Sequence, residues 1–355
     1  MTILDYLLPL FYKPCWTLLH KRQKTSDIAF YAADPLDYEM FLPIRKHLEF
    51  DITFIAKNAK TRAYFRQKNI PFKRYPAFPG VVIMGRHAAY KFPAAKILKI
   101  GFDHGLYQFK RWTKTKYYNQ FDVYFVSSEV QVKIARERGI KSVVAIGYPK
   151  LDKAFDDSIN REDIQALRQQ LGLDAQKPTV IFTSTWDVGG LSALTKWIDR
   201  VHELTDRYNV LLTAHPWTKK RLLEKLKAVP GAVYLPQADV TPYLMLADVF
   251  VGDYNSLIGE FCALDKPIIT FKTPNSDRSV PKVRRLIADI SEQVEKFDEI
   301  PAALKRCFEN PQARSEQRRQ ANRILFKALD GRAGYRAAEI IQKMIDENPA
   351  MESIQ

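Results

Sequence analysis

The chain is short of cysteine: three in 355 residues, at Cys15, Cys262 and Cys307. They stand far apart and without metal-ligand spacing. That excludes a disulfide scaffold or a zinc module and fits a reducing compartment. Long apolar runs are also missing. A spanning helix needs about 20 consecutive apolar residues, and even the apolar opening of the chain is broken by Asp5, Pro9, Lys13 and Pro14. That opening carries no positive charge ahead of its apolar stretch and no small-residue end, so it does not read as a signal peptide. Glycine-rich dinucleotide and P-loop motifs are absent too, as are internal repeats and low-complexity tracts. Acidic residues are scarce in one part only. Residues 1–150 hold 11 acidic against 26 basic side chains, and residues 151–355 hold 29 of each. The whole net charge of +15 therefore lies in the first part, most densely over 51–120, with 15 basic and 2 acidic residues. Such a field attracts nucleic acid, anionic lipid or a phosphorylated substrate.

Within residues 1–24, Tyr6, Phe11, Tyr12 and Trp16 precede Lys21, Arg22 and Lys24. This pattern predicts an amphipathic segment lying in a membrane interface. The alternative is a helix packed on the protein's own surface.

What the chain does have is alternation. Apolar, β-rich runs at 27–33, 51–57, 81–84, 96–102, 121–127 and 143–147 are separated by amphipathic stretches. After a connector at 151–178 the pattern restarts, with strands expected at 179–184, 209–214, 232–236, 248–253 and 267–271 and helices near 191–207, 217–228 and 240–247 and from 255. Beyond 295 the chain reads as helix to about 346. Alternating apolar strands and helices predict an α/β protein with parallel sheets covered on both faces. Two such series predict two doubly wound, Rossmann-like domains facing across a cleft, over 25–155 and 156–330, with a C-terminal helix over 331–355. Ligands of such folds sit beyond the carboxyl ends of strands and at helix N-termini.

Four stretches place reactive side chains there. Asp253-Tyr254-Asn255-Ser256 ends one strand and opens a helix, so Asp253 or Asn255 is positioned to cap it. Free amides and the Ser256 hydroxyl would form an anion site. Glu260, one turn on, would face a ribose or water. A plain capped turn accounts for the same residues. His215 follows the strand at 209–214, with Pro216 starting a helix and Trp217, Lys219, Lys220 and Arg221 behind it. His104 follows the strand at 96–102 beside Gly105, with Lys110, Arg111, Lys114 and Lys116 beyond; a turn histidine on a basic surface is the simpler account. Thr183, Ser184 and Thr185 end a further strand ahead of Gly189-Gly190, a loop suited to phosphate. One strand-tip histidine in each half, with no competing carboxylate pair or metal cluster, favours transfer from a phosphorylated donor.

In this order the motifs resemble the CDP-glycerol glycerophosphotransferases, a family that includes teichoic acid primases and polymerases. His104-Gly105 matches its histidine-glycine motif, and Gly147, Pro149 and Asp152 its junction motif. Thr185-Trp186 and His215-Pro216 match two more. Gly252-Asp253-Tyr254-Asn255-Ser256, Glu260 and Asp265-Lys266-Pro267 match its strongest signature, and Asp330-Gly331-Arg332-Ala333 with Arg336 its last. Asp103, Leu151, Asn255 and Gly259 depart from the pattern; Gly259 in place of a bulky residue leaves CDP-glycerol, CDP-ribitol and a nucleotide sugar open as donors.

The resemblance implies a GT-B fold and transfer of a polyol phosphate from a CDP-activated donor to a hydroxyl of a lipid-linked or polysaccharide acceptor, with CMP released. His104 would deprotonate that hydroxyl, and His215 would stabilise the donor pyrophosphate. Ser256 and the helix amides would bind phosphate. Thr185 and Glu260 would line the nucleotide site, with Asp253, Tyr254, Asn255 and Arg332 as further donor-binding candidates. Neither metal nor organic cofactor is implied. Lys110, Arg111, Lys114 and Lys116 would meet the acceptor and an anionic membrane, placing the protein on the cytoplasmic face in teichoic acid or capsule polysaccharide synthesis. Two other readings stand beside this one: a GT-B glycosyltransferase or nucleotide-sugar epimerase using a UDP- or CMP-sugar, and a nucleic-acid-binding protein using the basic half, for which no module is recognisable.

Overall fold

A computed structural model describes residues 3–22, 27–103, 105–106, 114–186, 190–235, 239–275 and 280–348. The chain forms two compact units: one runs to Asp152 and resumes at Phe326, the other spans Lys153–Leu325.

In the first unit the strands are β1 (Ile28–Ala32), β2 (Thr53–Ala56), β3 (Phe72–Arg74), β4 (Val81–Met84), β5 (Leu98–Phe102), β6 (Val123–Val126) and β7 (Val143–Ala145). They pair in parallel in the order β3-β2-β1-β4-β5-β6-β7. The helices up to Asp152 are α1 (Ile3–Lys21), α2 (Pro35–Arg45), α3 (Ala59–Gln67), α4 (Thr115–Tyr118) and α5 (Glu129–Glu137). Successive β1 residues serve opposite faces of the sheet. Ala29 and Tyr31 join the core that includes Phe92 and Tyr124, and Phe30 stacks on Phe41 of α2 at 4.2 Å.

The second unit repeats the plan. Its strands are β8 (Thr179–Ser184), β9 (Asn209–Ala214), β10 (Ala232–Tyr234), β11 (Val249–Gly252), β12 (Ile268–Phe271) and β13 (Glu292–Val294). They pair in parallel in the order β10-β9-β8-β11-β12-β13. Its helices are α6 (Arg161–Gln170), α7 (Leu194–Trp197), α8 (Lys220–Lys227), α9 (Thr241–Leu246), α10 (Leu257–Ala263), α11 (Pro281–Ile290), α12 (Ile300–Glu309) and α13 (Ser315–Leu325). Val180 and Phe182 of β8 face one core and Ile181 the other, which is why these strands read as continuous apolar runs. The order reverses between β8 and β11, the topological switch point of such a sheet.

Several details differ from the sequence reading. β3 and β13 were not foreseen. They are three-residue edge strands with polar sequences, FKR and EQV, and one short edge needs little apolar content. The helix expected near 191–207 is broken into α7 and a 3₁₀ turn at Val201–Leu204. The unit boundaries fall after Asp152 and Leu325 rather than 155 and 330, because α14 (Ala333–Asp346) packs on α2 of the first unit. There the backbones touch: a Cβ on Gly334 would lie 2.3 Å from the Pro43 carbonyl oxygen.

Two aromatics expected to face a membrane are instead buried in α1's contact with its own unit. The Tyr12 hydroxyl donates to the Ala77 carbonyl (2.7 Å) and the Trp16 indole to that of Pro79 (2.8 Å). Leu10, Phe11 and Leu18 remain exposed on this helix. Among the described residues no helix is long and apolar enough to cross a membrane.

Candidate active site

The carboxyl ends of β8, β9 and β11 gather the second unit's motif residues. β11 closes at Gly252, and the next side chain, Asp253, is completely buried. Its carboxylate accepts hydrogen bonds from the Ser184 hydroxyl (2.7 Å), the Thr185 N–H (2.9 Å), the Ala193 N–H (2.8 Å) and the Asn255 amide (3.1 Å). Burial raises its pKa above the ordinary carboxylate value, and these donors oppose the rise. Asp253 is thus not the helix cap. That role falls to Asn255, whose Oδ1 accepts from Leu257 N–H at 3.0 Å while its amide donates to Thr183 Oγ1 at 3.0 Å and to Asp253. A serine hydroxyl has a single proton and could not donate both bonds.

Ser256 follows at the start of α10, and its side chain makes no capping bond. Glu260, expected to face a ribose or water, is buried on this helix at 2% exposure. The Tyr254 hydroxyl accepts from Val280 N–H at 3.0 Å, and the Arg284 guanidinium lies 5.4 Å from its ring centre. Burial raises the phenol's pKa. Tyr254, Phe271, Asn275 and Arg284 contribute to the walls of a cavity of about 580 Å³.

His215 stands just beyond β9, its backbone N–H bonded to the Ser184 carbonyl at 2.9 Å. Its Nδ1 accepts from Trp217 N–H at 3.1 Å. A nitrogen that accepts carries no proton, so while this bond is made Nε2 is the ring nitrogen left to carry one. Nε2 is then a hydrogen-bond donor. Trp186 lies nearly parallel to the imidazole (6.1 Å, 29°), and the exposed Trp217 meets Trp186 edge-on (5.0 Å, 86°). The sequence named these residues singly; only the β8–β9 register makes them a cluster.

Other motif residues make bonds that hold their own units together. Asp152 is buried in the first unit and accepts from Ala333 N–H (3.0 Å) and Gly334 N–H (2.6 Å), capping α14. Arg336 binds the Ile146 carbonyl (2.7 Å) and Asp330 (2.8 Å). Gly147 has φ +98°, and a Cβ on it would meet Ala333 Cβ at 2.9 Å. The junction motif and the last motif are therefore one clasp, distant in sequence and joined in space. Arg332, expected among the donor-binding residues, belongs to this part of the first unit. It is exposed, with its guanidinium 5.0 Å from the Tyr335 ring centre. In the second unit Asp265 pairs with buried Arg318 (2.7 Å), and Lys266 donates to the Ala247 carbonyl (2.8 Å). Sequence reasoning missed Arg318. Lys114 and Lys116 are exposed, beside and on α4. His104, Lys110 and Arg111 lie outside the described residues.

Two parallel, doubly wound sheets in separate units are the architecture of the GT-B class. A variant of the wall teichoic acid polymerase TagF shares it, with TM-score 0.73 at 15% identity over 98% of this chain and 99% of that one. The chain belongs to the CDP-glycerol:poly(glycerophosphate) glycerophosphotransferase family, whose sequence model matches residues 93–343. A teichoic acid ribitol-phosphate polymerase of Staphylococcus aureus is 26% identical over 160 residues, 41% of this chain and 31% of that protein. A teichoic acid glycerol-phosphate primase of Bacillus spizizenii is 28% identical over 166 residues, 44% of this chain and 41% of that protein. The matched segment thus spans less than half the length of either relative.

Proposed function

We propose that the chain transfers a polyol phosphate, glycerol phosphate first among the candidates, from a CDP-activated donor to an acceptor hydroxyl in teichoic acid synthesis. Family membership supports the donor class. The observation that carries the reading at the site is His215 at the tip of β9, bonded through its backbone to Ser184 at the tip of β8, with Nδ1 accepting from Trp217 N–H so that Nε2 is the nitrogen left to donate. In the reaction the acceptor oxygen attacks the phosphorus bearing the polyol and a new P–O bond forms. The P–O bond to CMP breaks, and the hydroxyl proton passes to His104. His215 donates to the pyrophosphate oxygens, where charge builds as CMP leaves. A positioned donor of this kind is worth about 10²–10³ in turnover, and a general base about 10²–10⁴. Ser256, Thr185 and Tyr254 complete the donor-binding surface, and no metal is needed for these steps.

The test is incubation with CDP-glycerol and a polyol-phosphate-primed acceptor, following CMP. His104→Ala and His215→Ala should each lose at least about 100-fold. Either variant turning over at the wild-type rate rules out this mechanism. UDP release from a UDP-sugar would instead assign the site to the glycosyltransferase or epimerase chemistry.

The acceptor is lipid-linked in this reading, and the basic part of the chain meets an anionic, cytoplasmic membrane face. The exposed Leu10, Phe11 and Leu18 on α1 support an interfacial helix. Charge reversal at Lys110, Arg111, Lys114 and Lys116 should weaken sedimentation with phosphatidylglycerol vesicles and spare CDP-glycerol binding. Equal loss of both refutes that division of labour.

A further inference from the structure

The strongest unassigned feature is the central place of Asp253. Its one carboxylate gathers two separate points of the connection after β8. Thr185 N–H binds it at the start (2.9 Å), and Ala193 N–H binds it at the end (2.8 Å). The Ser184 hydroxyl adds a third bond (2.7 Å) and is itself paired with the Ser192 hydroxyl (2.8 Å). The side chain has no solvent exposure, so no ligand reaches it without displacing these groups. Thr185 leads directly into Trp186, whose ring lies along that of His215 (6.1 Å, 29°).

We propose that Asp253 is a positioning residue: it ties the connection after β8 to the tip of β11 and thereby sets Thr185 and Trp186 beside His215, without itself touching the donor. This rests on the donor-site reading above. The neutral amide of an Asp253→Asn variant would turn an N–H toward at least one of the backbone N–H groups, because only one of its two heavy atoms accepts. Thr185 or Ala193 would be pushed off its place.

The same two strands supply a control. At their amino ends Asp248 accepts from Thr179 N–H at 2.8 Å. It ties β8 to β11 in the same way but far from the strand tips. The experiment compares wild type, Asp253→Asn, Ser184→Ala and Asp248→Asn by calorimetry with CDP-glycerol, by thermal melting and by near-ultraviolet circular dichroism without ligand. The dichroism reads the coupled indoles of Trp186 and Trp217, with Trp217→Phe as the reference. Asp253→Asn should weaken CDP-glycerol binding at least tenfold and change the ligand-free indole signal. Ser184→Ala, which keeps both backbone bonds, should show a smaller change of the same kind. Asp248→Asn should melt earlier but bind as wild type. Loss of binding in Asp253→Asn and Asp248→Asn in proportion to their melting temperatures would overturn the proposal. So would an unchanged indole signal in Asp253→Asn. If wild type itself fails to bind CDP-glycerol, the donor-site reading falls, and the ligand-free signal still decides whether Asp253 positions Trp186.

Discussion

Replacing Asp152 by alanine should unfold the first unit's last helix from its strand tips. The carboxylate is buried and accepts from Ala333 N–H and Gly334 N–H at 3.0 and 2.6 Å. Both donors are buried, and an alanine would leave them facing protein with no acceptor. A lost N-cap costs about 1 kcal/mol on a surface helix. Each orphaned buried donor costs about 1–3 kcal/mol. Loss of a negative charge at the helix N-terminus adds about 0.3–1 kcal/mol. These overlap, since the cap is the hydrogen bonds, so the expected loss is about 3 kcal/mol, or about 150-fold in the unfolding equilibrium. Asp152→Asn keeps one carbonyl acceptor but turns an amide N–H toward the other backbone donor, so it too should be destabilised. Urea unfolding of a variant with Trp16 as sole tryptophan would follow the first unit, where Trp16 is buried. An unchanged midpoint in Asp152→Ala or in Asp152→Asn would refute the clasp.

Three further outcomes follow from the same kind of reasoning. Asp330 accepts from Arg336, which lowers its pKa below the ordinary carboxylate value. A depressed folded-state pKa contributes stability above the unfolded value and loses it as pH falls through the folded one. Asp330→Asn should therefore be less stable than wild type at neutral pH, and the gap should close on acidification below about pH 4; a gap constant down to pH 2 contradicts the pairing. Arg318→Met should cost the second unit about 2 kcal/mol by removing the charge-assisted bond to Asp265 and the bond to the Pro311 carbonyl, read by denaturant midpoint. Gly147→Ala should cost at least about 1 kcal/mol, because φ is +98° and Ala333 stands in the way; a neutral melting temperature would count against the close approach.

The sequence by itself determined the fold class and most strands, because strands buried on both faces must be continuously apolar and such runs cannot hide. It also determined where the charge lies and which residues sit at strand tips, since a residue following an apolar run ends at the sheet's carboxyl edge. Asn255 and Asp253 were legible as polar groups there, but not which one caps. That depended on Asp253 being drawn inward by Ser184, Thr185 and Ala193, residues 60 to 69 positions away. Tyr12 and Trp16 were misread for a related reason. An aromatic ring with a polar tip suits a membrane interface and a helix–domain contact equally, and only the carbonyls of Ala77 and Pro79 decide between them. Tertiary structure alone turned the two distant motifs at 147–152 and 330–336 into one clasp. A buried carboxylate needs donors, and the chain supplied them from 181 residues away, beyond the whole second unit. Local pattern reports what a residue can bond; only the folded register reports what it does.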